Sequence, residues 1–164
     1  IVANSAHRKD WALRELHEAL LAKTPQARIG VLGLAYKENT HSVKNSAALA
    51  LIAQLAAWPV RAFDPAVPAS AAQHPDLTAA SSALEAAHDV DALAIMTPWP
   101  EFRELAPADL ARLMRGRLVL DPYRVLDAAA ARAPAASPPS PVPTRGPPPL
   151  SPLLSAARTS WCVA

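Results

Sequence analysis

Cysteine, glycine, aromatic residues and charge are all scarce in this 164-residue chain: it holds 1 Cys and 4 Gly, with an aromatic fraction of 5% and a charged fraction of 18%. A single cysteine, Cys162, excludes an internal disulfide and any cysteine-cluster metal site. So few glycines leave no Gly-x-Gly-x-x-Gly turn, and no Gly-Lys-Ser/Thr follows a glycine loop, so neither the dinucleotide fingerprint nor a Walker A loop is written here. The basic residues are scattered, with no run longer than Arg8-Lys9, and the net charge is only +2, so a nucleic-acid footprint is not expected. No apolar run approaches the roughly 20 residues that a membrane span needs, and Arg8, Lys9 and Asp10 interrupt the first segment too early for a secretory signal. The five histidines contain no His-Glu-x-x-His and have no acidic partner at coordinating spacing, so no metal is expected. The composition is that of a reduced, cytoplasmic protein. The chain starts at Ile1, which we read as a piece of something longer.

What is abundant is Ala and Pro. The apolar fraction of 51% suits one domain with a core, but nine of the 18 prolines follow Ala128, where no acidic residue occurs. The organisation expected is the end of a helix over 1–26, a folded domain over 27–127 and a disordered Ala/Pro-rich tail over 128–164.

Along the folded part, residues Ser5 to Ala22 read as a helix with Leu13, Leu16 and Leu20 at helical spacing, ended by Thr24-Pro25. Arg28 to Ala35 reads as a strand buried on both faces. Ser46 can cap a helix from Ala47 to Ala57, and Val60 to Phe63 is a second strand stopped by Asp64-Pro65. A weak helix over Ala79 to Ala87 precedes a third strand, Ala92 to Met96. Pro107 opens a helix to about Met114, and Arg117 to Leu120 is a fourth strand. This alternation predicts an α/β fold: a Rossmann-like parallel sheet with helices on both faces. Ligands bind such sheets beyond the carboxyl ends of the strands, near a topological switch point. The segments to watch are therefore Tyr36 to Lys44, Asp64-Pro65, Thr97 to Phe102 and Asp121 to Arg124.

Two residues invite chemistry from position alone. Asp64 ends the second strand, where an acidic residue in a dinucleotide site would hold a ribose; ordinary sheet packing is the competing reading. Lys37 directly follows a buried strand, so its ammonium is presented at the ligand end of the sheet, where it suits a phosphate or a sugar hydroxyl. Cys162 lies in the low-complexity tail and carries no catalytic expectation, and Trp99 and Phe102 are expected to pack a loop against the core.

The run GVLGLAYKENTHSVKNS, Gly30 to Ser46, resembles the signature Leu-Gly-x-Ala-Phe-Lys-x-x-Thr-x-Asp-x-Arg-x-Ser that opens the C-terminal domain of the UDP-glucose/GDP-mannose dehydrogenase family. Four further pieces follow in that family's order: the helix Ser46 to Ala57, the strand ending Phe63-Asp64-Pro65, ALAIMTPWPEF (Ala92 to Phe102), and DPYRVLD (Asp121 to Asp127). The helix Asn4 to Leu21 resembles the end of the family's long central helix, which joins its two Rossmann-like domains and builds the homodimer.

The resemblance implies an NAD-dependent oxidation of a nucleotide sugar, C6 alcohol to carboxylate, with NAD and the catalytic cysteine on an N-terminal domain. It implies that Tyr36 and Lys37 match the aromatic-lysine pair that contacts the nucleotide sugar, and that Lys44 stands where an arginine reaches toward NAD. The family's closing arginine is matched by Tyr123, with Arg124 adjacent as the candidate to take over its substrate contact. No NAD fingerprint and no catalytic cysteine in a matching context accompany these motifs, so no dehydrogenase activity is expected of this polypeptide alone. Two other readings stay open, a non-catalytic nucleotide-sugar-binding module and an inactive remnant.

Overall fold

The computed structural model describes residues 10–127 and the backbone of Cys162–Val163. Helical residues 10–16 (α1) widen into a π turn, His17–Leu21, closed by Ala22 N–H donating to the His17 carbonyl over 3.1 Å. Then come β1 (Ile29–Leu32), α2 (Ala47–Gln54), β2 (Val60–Phe63), β3 (Leu77–Ala79), α3 (Ala83–Ala87), β4 (Ala92–Ile95), α4 (Pro107–Leu113), β5 (Leu118–Leu120) and β6 (Cys162–Val163). Every strand pairing is parallel, in the order β3-β2-β1-β4-β5-β6. This is the doubly wound Rossmann order, in which the chain leaves β1 toward one edge and returns at β4 to build toward the other.

Burial explains which strands form the centre. All four residues of β1 and all four of β4 are buried, as covering by helices on both faces requires. Leu32 pairs with both Phe63 and Ile95, so the carboxyl ends of β2, β1 and β4 finish level. Gly30 permits the close approach of α3, because a Cβ there would lie 2.8 Å from the Ala86 carbonyl oxygen and 2.7 Å from Leu93 Cδ1. The helices carry the starts their sequences encode. Ser46 Oγ accepts from Leu49 N–H at 3.2 Å to cap α2, and Ser82 Oγ accepts from Glu85 N–H at 3.1 Å to cap α3. Glu85 reaches back to Ser81, accepting from its N–H at 2.6 Å and from its hydroxyl, an arrangement that holds its carboxyl below the ordinary range.

Three local readings change. The expected helix over Ala79 to Ala87 is shorter and preceded by β3, an edge strand whose residues are half-buried or exposed and so lack an apolar signature. The helix ending at Ala57 stops at Gln54. The stripe Leu13, Leu16, Leu20 is re-phased by the π turn: Ala12, Leu16 and Leu21 are buried in the domain's own core, while Leu13 and Leu20 are half-buried against it. The residues expected as a disordered tail lie outside the described residues, apart from Cys162–Val163, which adds a parallel strand to β5. Residues 1–9 of the expected first helix also lie outside them.

Candidate functional site

The ends of β1, β2 and β4 are tied into one rigid platform by a single carboxylate. Asp64, 9% exposed just beyond β2, accepts five hydrogen bonds from three segments. Its Oδ2 takes the N–H groups of Leu34 and Ala35 at 2.6 and 2.9 Å and the Trp99 indole Nε1 at 3.0 Å. Its Oδ1 takes the N–H groups of Ala66 and Val67, both at 2.8 Å. A carboxylate offers about four lone-pair sites, so these donors saturate it and leave nothing for a ribose hydroxyl. Of the two readings of Asp64, the packing one describes what its oxygens do. The indole bond also explains why Trp99 is buried, and Phe102 beside it is buried with its ring tilted against Phe63 at 6.3 Å between centroids.

Two further ties tighten the switch point. Thr97, buried at the end of β4, donates its hydroxyl to the Ala35 carbonyl at 2.7 Å. Gly33 turns the chain out of β1 at φ 85°, and a Cβ there would sit 2.5 Å from Thr97 Cβ, so both backbone conformation and space demand glycine. Ser46, buried, donates its hydroxyl to the Leu34 carbonyl at 2.7 Å while capping α2. The intervening loop is closed by Tyr36 N–H donating to the Ser42 carbonyl at 2.8 Å, and it uses Asn39 and Asn45 in the left-handed region at φ 59° and 61°. Asparagine tolerates that region better than most side chains.

Above this platform lies a cavity of about 270 Å³, walled by Tyr36, Lys37, Glu38 and Asn45 from the β1–α2 loop, Met96 and Pro98 from the end of β4, and Tyr123 beyond β5. It occupies the crevice outside the strand ends where the sheet order reverses, the place that doubly wound sheets bind ligands. Lys37 is exposed, and among the described residues no carboxylate forms an ion pair with it. Its charge is therefore available to an anion. Glu101, on the short 3-10 turn Pro100–Glu104, has its carboxyl raised by partial burial first and then by the carboxylates of Asp64 and Glu104.

The candidate residues do not all converge. Tyr36 and Lys37 line the cavity, whereas Lys44 and Arg124 are exposed and do not, each standing one residue from a lining residue, Asn45 and Tyr123. Arg124 adopts φ 52°, and its N–H closes a turn onto the Asp121 carbonyl at 3.2 Å. Asp121 is buried and accepts from Leu126 N–H at 2.8 Å, so the whole turn is anchored. The loop segments singled out in the sequence contain Glu38 and Pro98 but stop one residue short of Asn45 and Met96. The signal that finds them is their place immediately after a buried parallel strand or immediately before a capped helix.

Comparison with known proteins agrees with this geometry. Residues 30–128 match the model of the UDP-glucose/GDP-mannose dehydrogenase family, UDP binding domain. The UDP-glucose 6-dehydrogenase of Rickettsia prowazekii is 36% identical over 104 residues, which is 60% of this chain and 24% of that protein. Among solved structures, the UDP-D-ManNAc dehydrogenase of Pyrococcus horikoshii superposes with a TM-score of 0.59 at 27% identity, covering 76% of this chain and 28% of that one. The UDP-glucose dehydrogenase of Pyrobaculum islandicum gives 0.58 at 26% identity, over 71% and 26%. The chain thus spans about a quarter of the length of the relatives it matches. Motifs, strand order, switch-point cavity and family match coincide, and the chain belongs to the UDP-glucose/GDP-mannose dehydrogenase family, of which residues 30–128 are the UDP binding domain.

Proposed function

We propose that this chain is the substrate-binding part of an NAD-dependent nucleotide-sugar 6-dehydrogenase, which oxidises the C6 alcohol of a UDP-glucose or GDP-mannose type substrate to a carboxylate. The observation that carries the reading is Lys37: an ammonium without an ion pair among the described residues, standing in a cavity at the switch point of a UDP binding domain. It takes a phosphate of the nucleotide sugar, and Tyr36 packs beside it. Arg124 and Lys44 are outer cations, one for the substrate and one for the cofactor, placed to act when an NAD-binding domain closes over the cavity.

NAD supplies hydride acceptance in this reading, but this α/β unit does not suit it as the principal site. Its β1–α2 connection lacks the glycine-rich turn, and the carboxylate at the end of β2 is saturated by five donors. The roles left to this chain are to bind the substrate, hold its phosphate against Lys37 and present it to a partner NAD-binding half. A homodimer built through the first helix belongs to the same reading.

Calorimetric titration of the purified chain with UDP-glucose, GDP-mannose and NAD, beside Lys37→Ala, tests it. One nucleotide sugar should bind, and the variant should lose that binding while its thermal unfolding stays unchanged. A folded chain that binds none of them refutes the reading. Mixing with a separately made NAD-binding half should restore NAD reduction.

A further inference from the structure

We propose that Tyr36 and Tyr123 form a two-sided clamp on the hexose of the ligand, with Tyr123 the specificity-determining residue that separates a nucleotide sugar from a bare nucleotide. This rests on the nucleotide-sugar reading of the cavity and extends it to the sugar end.

Among the described residues three large hydrophobic side chains are exposed, and two of them, Tyr36 at 51% and Tyr123 at 37%, wall this one cavity. Leaving aromatic rings exposed forgoes apolar burial, so two in a single cleft mark a surface that something else covers. Neither ring is exposed because its backbone is loose. Tyr36 donates its N–H to the Ser42 carbonyl at 2.8 Å and follows Ala35, which is bonded to Asp64 at 2.9 Å. Tyr123 sits in the turn that Arg124 N–H closes at 3.2 Å and that the Asp121 carboxylate braces through Leu126 N–H at 2.8 Å. Both rings are held out on fixed stems.

The strands that the two stems leave are spaced widely enough to admit a ring between them. Tyr36 follows β1 and Tyr123 follows β5, with β4 in between. Neighbouring strands are about 4.8 Å apart, so β1 and β5, from which the two stems leave, lie about 10 Å from each other. Ring pairs favour centroid separations of about 4.5 Å and upward, so a ligand ring stacked on both faces needs about 9 Å or more. Met96 and Pro98 line the same cavity.

The polar groups of the wall suit the hydroxyls of a hexose. Glu38 contributes an acceptor-only carboxylate, Asn45 an amide that both donates and accepts, and the tyrosines two phenolic hydroxyls. Sugar hydroxyls donate and accept, so each of these groups finds a partner on a hexose, whose axial hydrogens present an apolar face to the rings. Glu38 repels phosphate, which leaves the phosphate to Lys37.

Amide NMR titrations of the full chain with UDP and with UDP-glucose test the clamp. The unsubstituted chain should prefer UDP-glucose. Tyr123→Leu should erase about tenfold of that preference while UDP affinity changes less than about twofold, and Tyr123→Phe should keep most of it because the ring remains. An unsubstituted chain with no preference, a preference that survives Tyr123→Leu, or an equal loss for UDP and UDP-glucose each overturns the clamp and leaves the nucleotide-binding reading standing. Binding of neither ligand sinks that reading and the clamp together.

Discussion

Replacing Asp64 cuts the tie that joins three segments at the strand ends. Five donors converge on its carboxylate, and four of them belong to buried residues: Leu34, Ala35, Val67 and Trp99. The fifth, Ala66, is exposed and can turn to water. Asp64→Ala therefore strands four buried N–H groups, each costing about 1–3 kcal/mol. Water entering the vacated space recovers part of this, and we expect a net loss of about 4 kcal/mol, a large fraction of the roughly 5–15 kcal/mol that holds a domain folded. Asp64→Asn should be milder: the amide keeps its oxygen toward the three donors on Oδ2 and sacrifices two, for about 2–3 kcal/mol. Urea unfolding followed by fluorescence gives the magnitudes. The Trp99 indole N–H resonance and the exchange rates of the Leu34, Ala35 and Val67 amides locate the damage. A loss below about 1 kcal/mol for Asp64→Ala, with the indole resonance unmoved, would refute the view that one carboxylate ties the three segments.

Three other substitutions probe separate parts of the platform. Gly33→Ala forces a side chain into the left-handed region and against Thr97, and should cost at least about 2 kcal/mol by the same unfolding assay. Ser46→Ala removes both the α2 cap and the bond to the Leu34 carbonyl, for about 1–2 kcal/mol. Glu101 carries a raised pKa, so the folded chain holds its proton more tightly than the unfolded chain. Its contribution is most favourable in acid and is lost as pH rises through its folded pKa. Glu101→Gln should therefore melt at the same or a slightly higher temperature than the parent at pH 7, with the difference vanishing in acid; a destabilised variant at pH 7 contradicts that sign.

How much of this was legible depends on which physics left a periodic trace. β1 and β4 are buried on both faces, and their unbroken apolar runs announce them. Leu77–Ala79 is a half-wet edge strand with no such run, so the sheet's outer edge is invisible until β2 is seen to pair with it. Asp64 is conspicuous in sequence as an acid after a strand, but its environment decides its role: five nearby donors turn a candidate ribose ligand into a structural bond, and no residue count reveals donors that arrive from Leu34 and Trp99. Lys37 was legible because position after a buried strand dictates where a side chain emerges. Tyr123 was legible as part of the segment after the last expected strand and by its match to the family's closing arginine, whereas its place in the cavity depends on a turn fixed by Asp121.

The wide turn at His17–Leu21 stores one extra residue in the first helix. Upstream, Ala12 and Leu16 keep an α-helical phase; downstream, the next core contact falls on Leu21 where an uninterrupted helix would place it on Leu20. The turn acts as a phase shifter that lets Ala12, Leu16 and Leu21 all face the same core. Length and facing are thereby uncoupled here: removing one residue between His17 and Leu20 leaves an ordinary helix whose buried face is already in register, while the same deletion a turn earlier would rotate Ala12 or Leu16 out of the core by about 100°.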